Sequence, residues 1–206
     1  MNSEIENYIN NNIIPLYKDN DASHSISHVN DVIKNSLQLG KKYNLREDLL
    51  YIISAYHDVG VRQDRDAHEV ISAEFFYKDK FWEDILSNKE RKLIYDAIID
   101  HRASSRKVPR SIYGRIVATA DRQFDSFESA VKRTYLYLIS KFNNITMNEI
   151  YELIYNDFNN RYGKYGYVKV FFNENLFQKE LQPIKELLLD KNKFIEKIKI
   201  ILKEGK

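Results

Sequence analysis

The chain has 206 residues, a formal net charge of +2, 43% hydrophobic and 30% charged residues, and no cysteine. This balance is that of a globular protein; it excludes a disulfide framework and a thiolate metal site, and it gives no general attraction to nucleic acid. No apolar run approaches the roughly 20 residues that a membrane-spanning helix needs. Met1 to Asn12 lacks both a basic start and an apolar stretch, so the expectation is a soluble, cytoplasmic, single-domain protein without a signal peptide.

Six glycines and three prolines punctuate the chain, and the segments between them repeat apolar residues at helical spacing, which predicts an all-α fold. Tyr8, Ile9, Ile13, Ile14 and Leu16 suggest a short first helix, ended or bent near Pro15. After a loop from Asp19 to Ser23, His28 opens a second helix to about Tyr43, with Val29, Val32, Ile33 and Leu37 on one face. Asn44 and Glu47 form a capping pattern for a third helix, whose Leu49, Leu50, Ile52 and Ile53 precede the pair His57-Asp58. Gly60 is expected to end it.

A polar loop from Val61 to Ala67 leads to a helix with His68, Ile71, Ser72 and Phe75 on one stripe. Ser87 and Glu90 cap the next, which carries Leu93, Ile94, Ala97, Ile98 and His101. The basic loop Arg102 to Arg110 then precedes a helix through Ile112, Ile116, Val117, Ala120 and Asp121, a core stripe that ends in a carboxylate. Asp125 with Glu128 and Thr146 with Glu149 are expected to cap two aromatic-rich helices, the second ending near Gly163. The stretch from Tyr162 to Phe172 reads as an ordered connection. An amphipathic tail from Asn173 is expected to be interrupted near Pro183 and at Asp190 to Lys193.

All five histidines, His24, His28, His57, His68 and His101, lie in the first half of the chain. His28 begins one helix, His57 ends the next and Asp121 sits on the core face of a later one, so three antiparallel helices can bring them together with Asp58. Two imidazoles and two carboxylates make a divalent-metal site with positions left for water and a substrate oxygen. Such ligation suits Mn, Fe, Co, Ni or Zn, with Mg the less favoured choice.

The order His28, then His57-Asp58, then Asp121 resembles the signature of the HD-domain metal-dependent phosphohydrolases. Ser23-His24-Ser25-Ile26-Ser27-His28-Val29 is similar to the family's first motif, Ala55-Tyr56-His57-Asp58-Val59-Gly60 to its central one, and Ala118-Thr119-Ala120-Asp121-Arg122 to its last. The resemblance spans about residues 20 to 125. It implies an HD-type helical bundle over 20–125, with 126–206 as helical scaffold and extension, in a single domain over 1–206. In some members, extra histidines between the central pair and the last aspartate hold a second metal bridged by the central aspartate. His68 and His101 occupy comparable places; the alternatives are that they bind phosphate oxygens or satisfy hydrogen bonds in the pocket. His24 resembles a family position near the first ligand.

Metal-assisted hydrolysis of a phosphate follows as the expected chemistry. Asp58 stands at its centre, and Asp64, Asp66 and Glu69 are candidates for proton transfer. Deoxynucleotidases of the family carry an acid three residues after the central aspartate, where this chain has Val61. Arg62, Arg65, Arg102, Arg106, Lys107, Arg110 and Arg122 flank the motifs, and guanidinium groups suit phosphate oxygens. The expected substrate is a small phosphorylated molecule, in the leading reading a nucleoside triphosphate cut to the monophosphate and pyrophosphate. A dinuclear phosphodiesterase and a non-enzymatic nucleotide-sensing helical domain are the alternatives. Self-association is left open.

Overall fold

The computed structural model describes residues 2–123, 126–169, 171–172 and 176–203. Among these there is no strand, and no helix is long and apolar enough to cross a membrane. The fold is all-α, as its helical periodicity implies. The chain divides into two compact units, Met1–Arg122 and Gln123–Lys206.

The first unit holds α1 (Ser3–Asn12), α2 (Ile26–Lys41), α3 (Glu47–Tyr56), α4 (His68–Lys78), α5 (Asn88–Asp100) and α6 (Ile112–Arg122), with 3-10 turns at Ile14–Asp19 and Ala22–His24 before α2. Helix α3 is its axis. Every residue from Leu49 to Tyr56 is buried, as expected of a helix that is apolar all round, and α2, α5 and α6 pack about it. Full burial of side chains such as Leu50, Ile52 and Ile53 contributes about 1.5–3 kcal/mol each. Tyr56, the last residue of α3, is pinned by its hydroxyl, which donates to Asp79 (2.5 Å) and accepts from Trp82 Nε1 (2.9 Å). The helix therefore ends at a fixed place, immediately before His57.

Several local details depart from the periodicity and capping patterns. Asn44 does not cap α3; it adopts φ 51 at the exit of α2, where the Leu45 N–H reaches back to the Gly40 carbonyl at 3.2 Å. Arg46 stands before α3 without a side-chain cap bond. In α4 the inward stripe from His68 continues through Ser72 to Phe76, one residue in four, and leaves Phe75 39% exposed. Gly60 is not in a left-handed conformation. It is small because the start of α4 lies against it: a Cβ there would meet the His68 carbonyl oxygen at 2.8 Å and Ile71 Cβ at 2.8 Å.

The second unit contains α7 (Phe127–Lys141), α8 (Met147–Tyr162), α9 (Leu176–Leu187) and α10 (Lys191–Lys203). Its core joins Val131, Ile154, Phe158, Ile184, Phe194 and Ile198. The capping boxes at Ser87/Glu90 and Thr146/Glu149 form. Asp125 lies outside the described residues, and α7 is capped by Ser126 with Ser129. Pro183 sits inside α9 rather than interrupting it, with Leu181, Ile184 and Leu188 buried on either side. Asp190 marks the break before α10, its carboxylate accepting from the Asn192 and Lys193 N–H groups.

Candidate metal centre

Three elements of the first unit meet at Asp58. His28 comes from the first turn of α2, His57 and Asp58 from the end of α3, and Asp121 from the last turn of α6. His57 Nε2 lies 3.2 Å from Asp58 Oδ2, 3.4 Å from His28 Nε2 and 3.8 Å from Asp121 Oδ1. His28 Nε2 lies 3.2 Å from Asp121 Oδ1 and 3.7 Å from Asp58 Oδ2. One atom from each of the four falls within 4.8 Å of every other. These are the residues picked out by motif, brought into one group.

His68, which opens α4, and His101, which follows α5, meet the other oxygen of the same aspartate. Each Nε2 is 3.3 Å from Asp58 Oδ1, and the two are 3.2 Å apart. Asp58 thus faces His28 and His57 through Oδ2 and His68 and His101 through Oδ1, and its Oδ1 is buried with no hydrogen-bond partner.

The imidazoles are held by one repeated device. His57 Nδ1 sits 2.6 Å from the Ser54 carbonyl, His68 Nδ1 2.7 Å from that of Arg65 and His101 Nδ1 2.6 Å from that of Ile98. In each case the ring bonds a carbonyl three residues back. A carbonyl only accepts, so Nδ1 carries the proton and the neutral ring presents a bare Nε2 lone pair. Three such lone pairs and two carboxylates then point at one another, an arrangement that favours a cation. Without a metal the cation is a proton. Burial pushes the His57 imidazole down, but the Asp58 carboxylate beside it, with Asp121, outweighs burial and leaves it raised to about 9. Burial likewise would raise Asp58, yet His57 and His101 hold its carboxyl well below the usual range. Asp121 is held low against burial by His28. Burial, reinforced by the neighbouring His101, pushes His68 down and keeps it neutral.

Residues 25–123 match the HD domain. The chain carries an HD domain. Proteins with this domain are generally metal-dependent phosphohydrolases, and the donor set in this HD domain, imidazole and carboxylate without thiolate, fits a divalent ion. Comparison with curated proteins and with solved structures gives no match.

The flanking residues separate into those beside the HD cluster and those turned elsewhere. Glu69 is close: its carboxylate accepts from Arg102 Nη1 at 2.8 Å and lies 3.7 Å from His68 Nδ1. Arg102 also reaches the Asp66 carbonyl, so it ties the loop before His68 to the segment after His101. Asp64 accepts from the Asp66 N–H in an exposed turn (2.8 Å), and the Asp66 side chain is 98% exposed. Neither carboxylate is brought into the metal-binding groups.

Arg110 is engaged by Asp100 and by Asp96, at 2.9 and 2.7 Å. Arg122 is buried and donates to the His101 carbonyl at 3.2 Å, holding the backbone that carries a ligand. Arg62 pairs with Asp19 and Arg65 with Asp21. Arg106, at φ 58, closes the 3-10 turn Ala103–Ser105 and is exposed.

Before α2 the sequence motif marks His24 but not Tyr17 or Asn20. His24 Nδ1 is held by Asp21 at 2.8 Å, and its Nε2 faces Asp58 Oδ2 at 3.9 Å. Tyr17 and Asn20 bond the backbone of Asp58 itself. The histidine was visible by type; the tyrosine and asparagine carry no motif that would mark them.

Proposed function

We propose that this protein is a metal-dependent phosphohydrolase in which Asp58 serves two divalent ions, with His28, His57 and Asp121 completing one site and His68 and His101 the other. The observation that carries this reading is Asp58 Oδ1, buried without a hydrogen-bond partner between two Nε2 atoms at 3.3 Å. Mn, Fe, Co, Ni or Zn suits this ligation better than Mg. Bound there, such ions supply Lewis-acid polarisation of a phosphoryl oxygen and lower the pKa of water. The chain's own residues do the rest. The i−3 carbonyls hold His57, His68 and His101 in the tautomer that leaves Nε2 bare, and Glu69, braced by Arg102 beside His68, is the carboxylate that relays a proton.

The finer reading is a nucleotide substrate, with a nucleoside triphosphate cut to the monophosphate and pyrophosphate. The exposed cations Arg106 and Lys107 after His101 support a polyphosphate. The ion pairs of Arg110 with Asp96 and Asp100 weaken that support, while the sharing of Asp58 favours a phosphodiester. Manganese-loaded protein, with its metal content measured, is to be offered a nucleoside triphosphate, a monophosphate and a cyclic dinucleotide, with products followed by phosphorus NMR. Pyrophosphate from the triphosphate supports the first assignment. Opening of the cyclic dinucleotide by a protein holding two ions per chain moves it to a dinuclear phosphodiesterase. Orthophosphate from the monophosphate alone makes it a nucleotidase. Binding without turnover of any of them leaves a nucleotide-sensing domain and overturns the hydrolase.

A further inference from the structure

We propose that the segment ahead of the matched HD domain belongs to the metal centre, with Tyr17 and Asn20 as positioning residues that set the backbone of Asp58. The inference rests on the reading of Asp58 as a metal ligand. Neighbouring residues of a regular helix point about 100° apart, so His57 and Asp58 reach a common point only if the backbone leaves the helix there. Helix α3 does end at Tyr56, and a helix end leaves carbonyl and N–H groups without intrahelical partners.

At this end some partners are local, as where the Val61 N–H reaches the Asp58 carbonyl at 3.2 Å, and others come from residues far away in sequence. The Ser54 carbonyl, which in a continuing helix would accept from the Asp58 N–H, is taken by His57 Nδ1 at 2.6 Å. The Tyr17 hydroxyl fills the resulting gap from both sides, donating to the Ala55 carbonyl at 3.0 Å and accepting from the Asp58 N–H at 3.2 Å. Asn20 Nδ2 donates to the Asp58 carbonyl at 3.3 Å. Both polar groups of the Asp58 backbone are therefore held from the turn Ile14–Asp19 and the residue after it. Tyr17 is 1% exposed, which leaves no room for water to take over the hydroxyl's bonds.

The location makes this more than a packing detail. Asp58 alone contributes to both ligand groups, so a rotation of its backbone displaces Oδ1 from His68 and His101 and Oδ2 from His28 and His57 at once. Groups that orient ligands without touching the metal typically change affinity about 10–100-fold when removed.

The test is a cobalt(II) titration of the metal-free full-length protein, followed by the visible d–d absorption and by competition with a chelator. Tyr17→Phe keeps the ring and removes the hydroxyl. Tyr51→Phe is the control, because that hydroxyl bonds Asn10 Oδ1 at 3.2 Å. Tyr17→Phe is expected to weaken cobalt binding about 10–100-fold and to alter the d–d spectrum with helical circular dichroism retained, while Tyr51→Phe leaves affinity and spectrum as in the parent. Parental affinity and spectrum in Tyr17→Phe would overturn the inference. Should Tyr17→Phe fail to fold, Asn20→Ala carries the same test: weaker cobalt binding supports the inference and unchanged binding overturns it. A parent protein that takes up no cobalt overturns the metal reading of Asp58 together with this inference, whereas a parent that binds beside an unaffected Tyr17→Phe overturns the inference alone.

Discussion

Metal uptake should compete directly with a proton on His57. Burial opposes the charged ring, yet Asp58 and Asp121 outweigh it and raise the imidazole to about 9, against about 6.5 in an unfolded chain. At about 1.4 kcal/mol for each tenfold, that difference is worth about 3 kcal/mol. Because the folded value is the higher one, this stabilisation of the metal-free protein is complete below about pH 6.5 and is lost as pH rises through about 9. Asp58 and Asp121 are displaced downward, so their contribution is present above about pH 4 and is lost on acidification. The metal-free protein is therefore expected to be most stable between about pH 4 and 6.5. An ion must expel the His57 proton, so apparent metal affinity should climb about tenfold per pH unit between pH 7 and 9 and then level. Thermal unfolding across this range, with and without manganese, should show the metal-induced gain widening with pH. Calorimetry in two buffers of different ionisation enthalpy should count at least one proton released on binding at pH 7.5. Affinity that stays flat from pH 7 to 9 with no proton release would refute the argument, because the bare Nε2 of His57 would then be no part of the ion's shell.

Three other substitutions probe the same geometry. Asp58→Ala removes the one residue common to both ligand groups and should abolish tight metal binding at both, while the far-ultraviolet helical signal is kept; full metal content in the variant would show that the ligand set is wrong. Gly60→Ala places a Cβ 2.8 Å from the His68 carbonyl and from Ile71 Cβ, and should cost about 1–3 kcal/mol while loosening the His68 side of the cluster; unfolding and metal stoichiometry like those of the parent would count against that packing. Arg110→Ala should lower stability by less than about 1 kcal/mol and leave turnover of a triphosphate nearly unchanged, since its guanidinium serves Asp96 and Asp100; a large rise in KM for triphosphate alone would return this arginine to the substrate.

What could be read from the chain alone follows from how local each determinant is. The caps at Ser87/Glu90 and Thr146/Glu149 are reciprocal bonds closed within four residues, so a pattern suffices to find them. Asn44 and Glu47 have the same spacing and no such bond, because a short polar side chain also suits the left-handed exit from α2 and the Leu45–Gly40 bond takes it there. The arginines were visible as charge, but the choice of carboxylate belongs to packing: Asp96 and Asp100 lie one turn apart on α5 and present two acids to a single guanidinium. His28, His57 and Asp121 declared themselves as polar residues at helix ends or in line with apolar stripes. The Tyr17 hydroxyl could not, since its two bonds span 38 and 41 residues. His68 and His101 were apparent individually; that each approaches Asp58 through Oδ1 while His28 and His57 approach through Oδ2 depends on where α2, α4 and α5 bring their rings. The ligand types belong to the composition of the helix ends, and the aspartate common to both groups is held at its backbone, where a tyrosine and an asparagine outside the matched domain supply hydrogen bonds that the helix no longer makes.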